Sequence, residues 1–115
     1  MKLEYNKNNE VIKISDYTIS DLKYISMFQK LSEEFIEKYF EELNKDYICE
    51  YQNLSEEFIE RHFEELNKNS ILIFQKLSEK FIEKHFYVLD KYYICKYQKL
   101  SEKFIEKLKL QGVIK

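Results

Sequence analysis

Leu31-Ser32-Glu33-Glu34-Phe35-Ile36 returns three times along the chain: as Leu54-Ser55-Glu56-Glu57-Phe58-Ile59, as Leu77-Ser78-Glu79-Lys80-Phe81-Ile82, and as Leu100-Ser101-Glu102-Lys103-Phe104-Ile105. Successive leucines lie 23 residues apart, with no insertion. A fixed period of this size marks a chain built from copies of one supersecondary unit, each too small to bury its own apolar face, so that the copies must stack. The expected fold is mainly α: a short-helix solenoid of 23-residue repeats with a small N-terminal β-hairpin cap. Residues 1–23 form that cap, 24–107 the repeats and 108–115 a C-terminal cap, all within a single domain spanning 1–115.

Each repeat divides into two pieces. In the first, Ser32 is a natural N-cap, and Glu33 and Glu34 fall in the first turn, where the helix dipole favours negative charge. Leu31 and Ile36 have the spacing of a hydrophobic staple across the cap. Phe35, Ile36, Tyr39, Phe40 and Leu43 follow along one helical face, which predicts about three turns. Asn44, Asn67 and Asp90 then stand where a left-handed residue would end the helix. In the second piece, Ile48, Ile71 and Ile94 are always apolar, and so are Tyr51, Phe74 and Tyr97. The pairs are three apart, which predicts a helix of one or two turns facing the core rather than a strand.

The first residues do not follow the repeat. Lys2 to Tyr5 and Glu10 to Ile14, with Leu3/Tyr5 and Ile12/Ile14 alternating, flank an asparagine-rich turn and read as a hairpin. Ser15 to Lys23 reads as irregular or as a short helix. At the other end, Leu108, Leu110, Val113 and Ile114 break the pattern and Gly112 is a stop.

Composition narrows the classes. Apolar residues make up 44% and charged residues 35% of 115 residues, too much of both for a disordered chain. No apolar run exceeds four residues, far short of a membrane span. Met1 to Asn6 lacks the apolar core of a signal peptide, so a cytoplasmic protein is expected. Cys49 and Cys95 occupy one repeat position two repeats apart, too distant to be bridged, and are expected as buried apolar side chains in a reducing compartment. Net charge is −2, unevenly spread: −4 over 28–50, −3 over 51–73, +2 over 74–96 and +3 over 97–115.

Residues with chemical potential are mostly absorbed by the repeat. Gln29, Gln52, Gln75 and Gln98 share one position, where a side-chain amide can satisfy backbone groups at a turn. His62 and His85 share another, in a row otherwise apolar, without the further ligands that zinc needs. The four serines are helix caps rather than nucleophiles, and with a single glycine there is no phosphate-binding loop. The expectation is a non-enzymatic protein with no metal and no cofactor. The exposed rows carry the binding expectation. Glu33, Glu37 and Glu41 run down one helix uncompensated, Glu56, Glu60 and Glu64 repeat this, and Lys80, Lys84, Lys103 and Lys107 form the basic counterpart. Glu34–Lys38 and Glu57–Arg61 have favourable i,i+4 spacing.

The unit Y-Q-K-L-S-E-x-F-I-E-K-x-F, followed by leucine and Y-I-C, resembles short tandem repeats in proteins of tailed phages and giant DNA viruses. The resemblance covers residues 24–107; many such copies carry tryptophan where this chain has Tyr47, Ser70 or Tyr93. It implies a repeat scaffold of phage or prophage origin and assigns no activity to any residue. Together with the glutamate rows it leads to the expectation of an inhibitor of a host defence nuclease complex, of the anti-CRISPR type, which would set those rows against a basic nucleic-acid channel of a protein or ribonucleoprotein partner. Two alternatives stand beside it. One is direct nucleic-acid binding through Lys80, Lys84, Lys99, Lys103, Lys107 and Lys109, against which the pI of 5.8 weighs. The other is head-to-tail self-association, as a homodimer, of the acidic and basic halves.

Overall fold

The computed structural model describes residues 1–114. They form a two-stranded hairpin followed by eight short helices, and the chain divides into two compact units, Met1–Asn67 and Lys68–Lys115.

In the first unit, β1 (Lys2–Tyr5) and β2 (Val11–Ser15) pair antiparallel, with Leu3 opposite Ile14 and a register shift at Glu4/Tyr5. The asparagine turn works as composition predicts. Asn6 Oδ1 accepts from the N–H groups of Asn8 and Glu10, and Asn9 takes a left-handed φ of 60°. The buried side chains of β2 are Val11 and Ile14, while Ile12 is exposed, so the Ile12/Ile14 alternation is corrected. Val11 is drawn inward because it continues the sheet on its other edge: its N–H donates to Lys30 O at 2.8 Å and its carbonyl accepts from Ser32 N–H at 3.0 Å. The hairpin thereby covers the segment that opens the first full repeat.

Helix α1 (Ile19–Phe28) begins within the stretch left open as irregular or helical. Its start is fixed by a capping box, in which Thr18 Oγ1 accepts from Asp21 N–H and Asp21 Oδ2 accepts from Thr18 N–H. Helices α2 (Glu33–Lys38) and α4 (Glu56–Arg61) carry the Ser-Glu-Glu-Phe-Ile motif, and α3 (Lys45–Tyr51) is the second piece of the repeat. In the second unit, α6 (Glu79–Lys84) and α8 (Glu102–Leu110) are of the first kind and α5 (Lys68–Phe74) and α7 (Lys91–Tyr97) of the second. Helix α3 packs beside α1, and α7 beside α5.

The serine caps form as expected: Ser32, Ser55, Ser78 and Ser101 each accept from the N–H three residues on. Behind them Phe35, Ile36, Phe58, Ile59, Phe81, Ile82 and Phe104 are buried. The expectation of three turns is corrected. The first helix ends at Lys38, and Tyr39 (φ −104°, ψ 15°) leads into a compact turn that still buries Phe40 and Leu43. A lysine holds that turn. Lys45 Nζ donates to Phe40 O at 3.0 Å and lies 4.5 Å from the Phe40 ring centroid. Lys91 does the same for Phe86 O and for Leu89 O at 3.0 Å.

Asn44 and Asp90 are corrected too. Both have negative φ and act as N-caps of the following helix, Asn44 accepting from Tyr47 N–H and Asp90 from the N–H groups of Tyr92 and Tyr93. A short side-chain acceptor satisfies an orphan N–H there, a stronger demand than ending a helix that has already stopped. At the end of α8, Gly112 takes φ 74°. Its N–H reaches Lys109 O, and Val113 N–H reaches Leu108 O at 2.9 Å, the paired bonds of a Schellman stop.

Candidate interaction surface

Two of the recurrent glutamines, Gln52 and Gln98, each join their 23-residue copy to the preceding one within the same unit. Gln52, buried, accepts from Leu31 N–H at 2.9 Å and donates to Ser26 O and Gln29 O at 2.8 Å. Gln98 repeats the pattern with Leu77 N–H, Leu72 O and Gln75 O. The amide does satisfy backbone groups, but those of the preceding copy, 21 to 26 residues away. Gln29 is different: its Oε1 takes a hydrogen bond from Tyr5 OH of the hairpin.

The first glutamate of the motif has the same kind of duty. Glu33 accepts from Ser55 N–H at 2.6 Å and from Ser55 Oγ at 2.8 Å. Glu79 holds Ser101 in the same way at 2.6 and 3.0 Å. Ser32 N–H instead goes to Val11 O of the hairpin.

The second glutamate row is also engaged. Glu37 Oε1 accepts from Arg61 Nε at 3.0 Å and Nη2 at 2.6 Å, and its Oε2 lies 2.8 Å from His62 Nε2. A carboxylate is acceptor-only, so Nε2 carries the proton in that contact. The Arg61 hydrogen bonds hold the Glu37 carboxyl below its ordinary range, against a smaller opposing effect of burial, with His62 adding to the lowering. In the second unit Glu83 accepts from Lys107 Nζ at 2.6 Å.

Glu37 is therefore not uncompensated, since Arg61 pairs with it from 24 residues downstream, while Glu33 is hydrogen-bonded to the neutral Ser55, 22 residues downstream. Arg61 likewise turns to Glu37 rather than to Glu57. Of the other residues named from sequence, Glu41, Glu64, Lys80, Lys84 and Lys103 are exposed, and Glu56 and Glu60 are half-buried. The structure brings Glu33 and Glu37 onto the helix pair α2/α4, and Lys107 onto α6/α8.

His62 packs its ring 4.1 Å from Phe40 and 4.6 Å from Phe58 by centroid. Among the described residues, no group of three or more His, Cys, Asp or Glu side chains is placed to hold a metal ion, and no helix is long and apolar enough to cross a membrane. Cys49 is buried as expected, its thiol pushed up to about 11 by burial and by Asp46. Cys95 is exposed, which corrects the expectation for it.

An aromatic row is the feature that sequence reasoning misplaced. Tyr51, Phe74 and Tyr97 are expected on the apolar face with the isoleucines, and Phe28 holds the same position one repeat earlier, yet Phe28, Tyr51, Phe74 and Tyr97 are 65%, 44%, 46% and 40% exposed. Ile25, Ile48, Ile71 and Ile94 at three residues before are completely buried. The signal was present in the residue types: the buried row is uniformly isoleucine, while the exposed one is tyrosine or phenylalanine. A ring one turn earlier accompanies three of them. Tyr24 lies 5.0 Å from Phe28, Tyr47 6.1 Å from Tyr51, and Tyr93 stacks on Tyr97 at 5.7 Å and 15°.

The row differs in charge between the units. Helix α3 (KDYICEY) sets Asp46 and Glu50 among its rings, whereas α5 (KNSILIF) and α7 (KYYICKY) contain no acid. Where α3 has Glu50, α7 has Lys96, whose ammonium lies 5.4 Å from the Tyr92 ring centroid and 5.3 Å from that of Tyr97. Residues 68–115 carry eleven lysines against five acids, +6, and residues 1–67 carry eight basic against sixteen acidic side chains, −8.

No protein-family model, curated protein or solved structure matches the chain.

Proposed function

We propose that the chain is a non-enzymatic binding protein, a solenoid of 23-residue repeats whose target is another macromolecule. The solenoid is supported by the repetition of the clasps. Gln52 and Gln98 make the same three contacts, and Glu33–Ser55 and Glu79–Ser101 the same two, in separate units. The observation that carries the binding role is one repeat position that holds an exposed aromatic ring each time, Phe28 and Tyr51 in the first unit and Phe74 and Tyr97 in the second. Scattered exposed apolar residues need no explanation; a periodic row of large rings is the composition of an interaction surface.

In its specific form the target is a host defence nuclease complex, held off by a phage-encoded inhibitor. Support comes from the strongly acidic first unit, where Glu34, Glu41, Glu57 and Glu64 are exposed, and from the resemblance of the repeats. A cleavage assay with a purified CRISPR ribonucleoprotein tests it: the protein slows cleavage at stoichiometric amounts, and Glu41→Lys/Glu64→Lys restores it. Unaltered cleavage across representative nuclease types would remove the inhibitor role. A second reading, nucleic-acid binding by the basic unit, is favoured by the acid-free helices α5 and α7.

A further inference from the structure

We infer that the α5/α7 face of the second unit binds single-stranded nucleic acid, its bases stacking on Phe74, Tyr92 and Tyr97 and its phosphates meeting Lys76, Lys96 and Lys99. This rests on the binding-protein reading above and names the chemistry of one partner.

Four observations converge on it. The rings are exposed, Tyr92 at 63%, and they sit on two helices that pack side by side. Lys76 and Lys99 follow those helices at matching repeat positions and are exposed. No acidic residue lies within either helix, and Asp90, which caps α7, is occupied by the backbone N–H groups of Tyr92 and Tyr93. The matching surface of the first unit has aromatic rings as well, but Asp46 and Glu50 stand where α5 and α7 carry Asn69, Tyr92, Ile73 and Lys96. The charge, rather than the ring row, distinguishes the two.

Aromatic faces stack on any base, and lysines track the phosphate backbone, which is the recognition of unpaired strands without strong sequence preference. A duplex hides its bases from such rings and offers them only phosphates. The Lys96 ammonium already lies against the Tyr92 and Tyr97 rings, so a phosphate and a base can be met together on a short stretch of surface. An acidic peptide would use the lysines and leave the rings without a complementary π-face.

The test is fluorescence anisotropy with labelled oligo(dT) and oligo(U) of about 20 nucleotides and a duplex of equal length, at salt of about 50 and about 200 mM. Both single strands are expected to bind, more tightly than the duplex, and to weaken at the higher salt. Phe74→Ala and Tyr97→Ala should each weaken binding about tenfold, and Lys96→Glu should do so as well. Phe28→Ala and Tyr51→Ala, the matching changes in the first unit, should leave it unchanged. Far-UV circular dichroism establishes that the variants fold, as their exposure predicts.

Absence of binding at the lower salt overturns the inference, and so does duplex binding as tight as single-strand binding. Equal affinities in wild type and the ring variants would also overturn it, since phosphate attraction alone would then account for the result. If oligonucleotides fail while Phe74→Ala and Tyr97→Ala abolish binding to an identified protein target, the inference falls and the binding-protein reading stands.

Discussion

The carboxylate of Glu33 accepts both hydrogen-bonding groups of Ser55, its backbone N–H at 2.6 Å and its hydroxyl at 2.8 Å, across 22 residues of sequence. Ser55 Oγ in turn accepts from Phe58 N–H. One serine thus caps its own helix and fastens it to the helix of the preceding copy. Charge-assisted bonds to N–H and O–H are stronger than neutral ones. Glu33→Ala is expected to lower unfolding stability by about 1–2 kcal/mol, read as a fall in the urea midpoint. Glu34→Ala, at an exposed neighbouring position, should stay within about 0.5 kcal/mol. Equal effects at the two positions would remove the special role of Glu33.

Gln52 makes the larger contribution because it is buried. Its amide fills three backbone bonding positions, Leu31 N–H, Ser26 O and Gln29 O. Leucine would keep the volume and leave all three without this partner, at about 1–3 kcal/mol for each buried group not rescued by water. Gln52→Leu should therefore cost at least about 2 kcal/mol, and Gln98→Leu should match it. Gln29→Ala, which loses only an exposed bond to Tyr5 OH, should change the midpoint little.

The local features of the repeat were legible because their partners lie within one turn. Ser32 with Phe35, Ser55 with Phe58 and the buried isoleucines follow from caps and periodicity. The duties of Glu33, Glu37 and Gln52 were not legible in full, since each is completed 21 to 26 residues away and a single helix shows such a carboxylate as bare. Asn44 was ambiguous because one residue type serves both ends of helices, and here a single compact turn separates them. The ring row was misplaced for a different reason. Recurrence marks a position under constraint without saying whether the constraint is the core or the surface, and a seven-residue helix already buries Ile48 and Cys49.

Glu37 gives the fold an acid-sensitive element of known sign. Its folded carboxyl titrates below the ordinary value of 4.5, so folding favours the ionised form. The contribution is complete above about pH 5 and is lost as the pH falls through 4.5 and then through the folded value. Because the side chain is 35% exposed, screening limits it to below about 1 kcal/mol. Urea midpoints measured from pH 7 to pH 3 should fall less steeply for Glu37→Gln than for wild type, starting from a lower value. Parallel curves would show that the Arg61 contact contributes nothing to stability.

The two cysteines should separate cleanly in reactivity. Burial and Asp46 push the Cys49 thiol up to about 11, and attack on a disulfide reagent requires an accessible thiolate. Cys95 is exposed on α7. Titration with a chromogenic disulfide at pH 8 should label one thiol per chain in buffer and both in denaturant. Cys95→Ser should abolish labelling in buffer and leave one thiol, Cys49, labelled in denaturant. Rapid labelling of both thiols under native conditions would mean that the α3 core opens readily.

Gly112 ends α8 in a left-handed conformation, φ 74°, and among the described residues, its chain neighbours apart, no heavy atom lies within 4 Å of where a Cβ would stand. Space is therefore not the constraint, and the cost of a side chain is the backbone conformation alone, about 1 kcal/mol for alanine. Asparagine tolerates this region better. The order Gly112, Gly112→Asn, Gly112→Ala is expected for the protection of the Val113 amide, which donates to Leu108 O at 2.9 Å. Hydrogen exchange followed by NMR reads that order directly, with the Gly112→Ala amide exchanging about fivefold faster or more. Since Leu108 is buried and Leu110 exposed, the loss should stay within the last turn of α8 and leave the Phe104 amide, bonded to Ser101 Oγ, protected as before. Loss of protection at Phe104 as well would show that the glycine stop holds the whole helix in place.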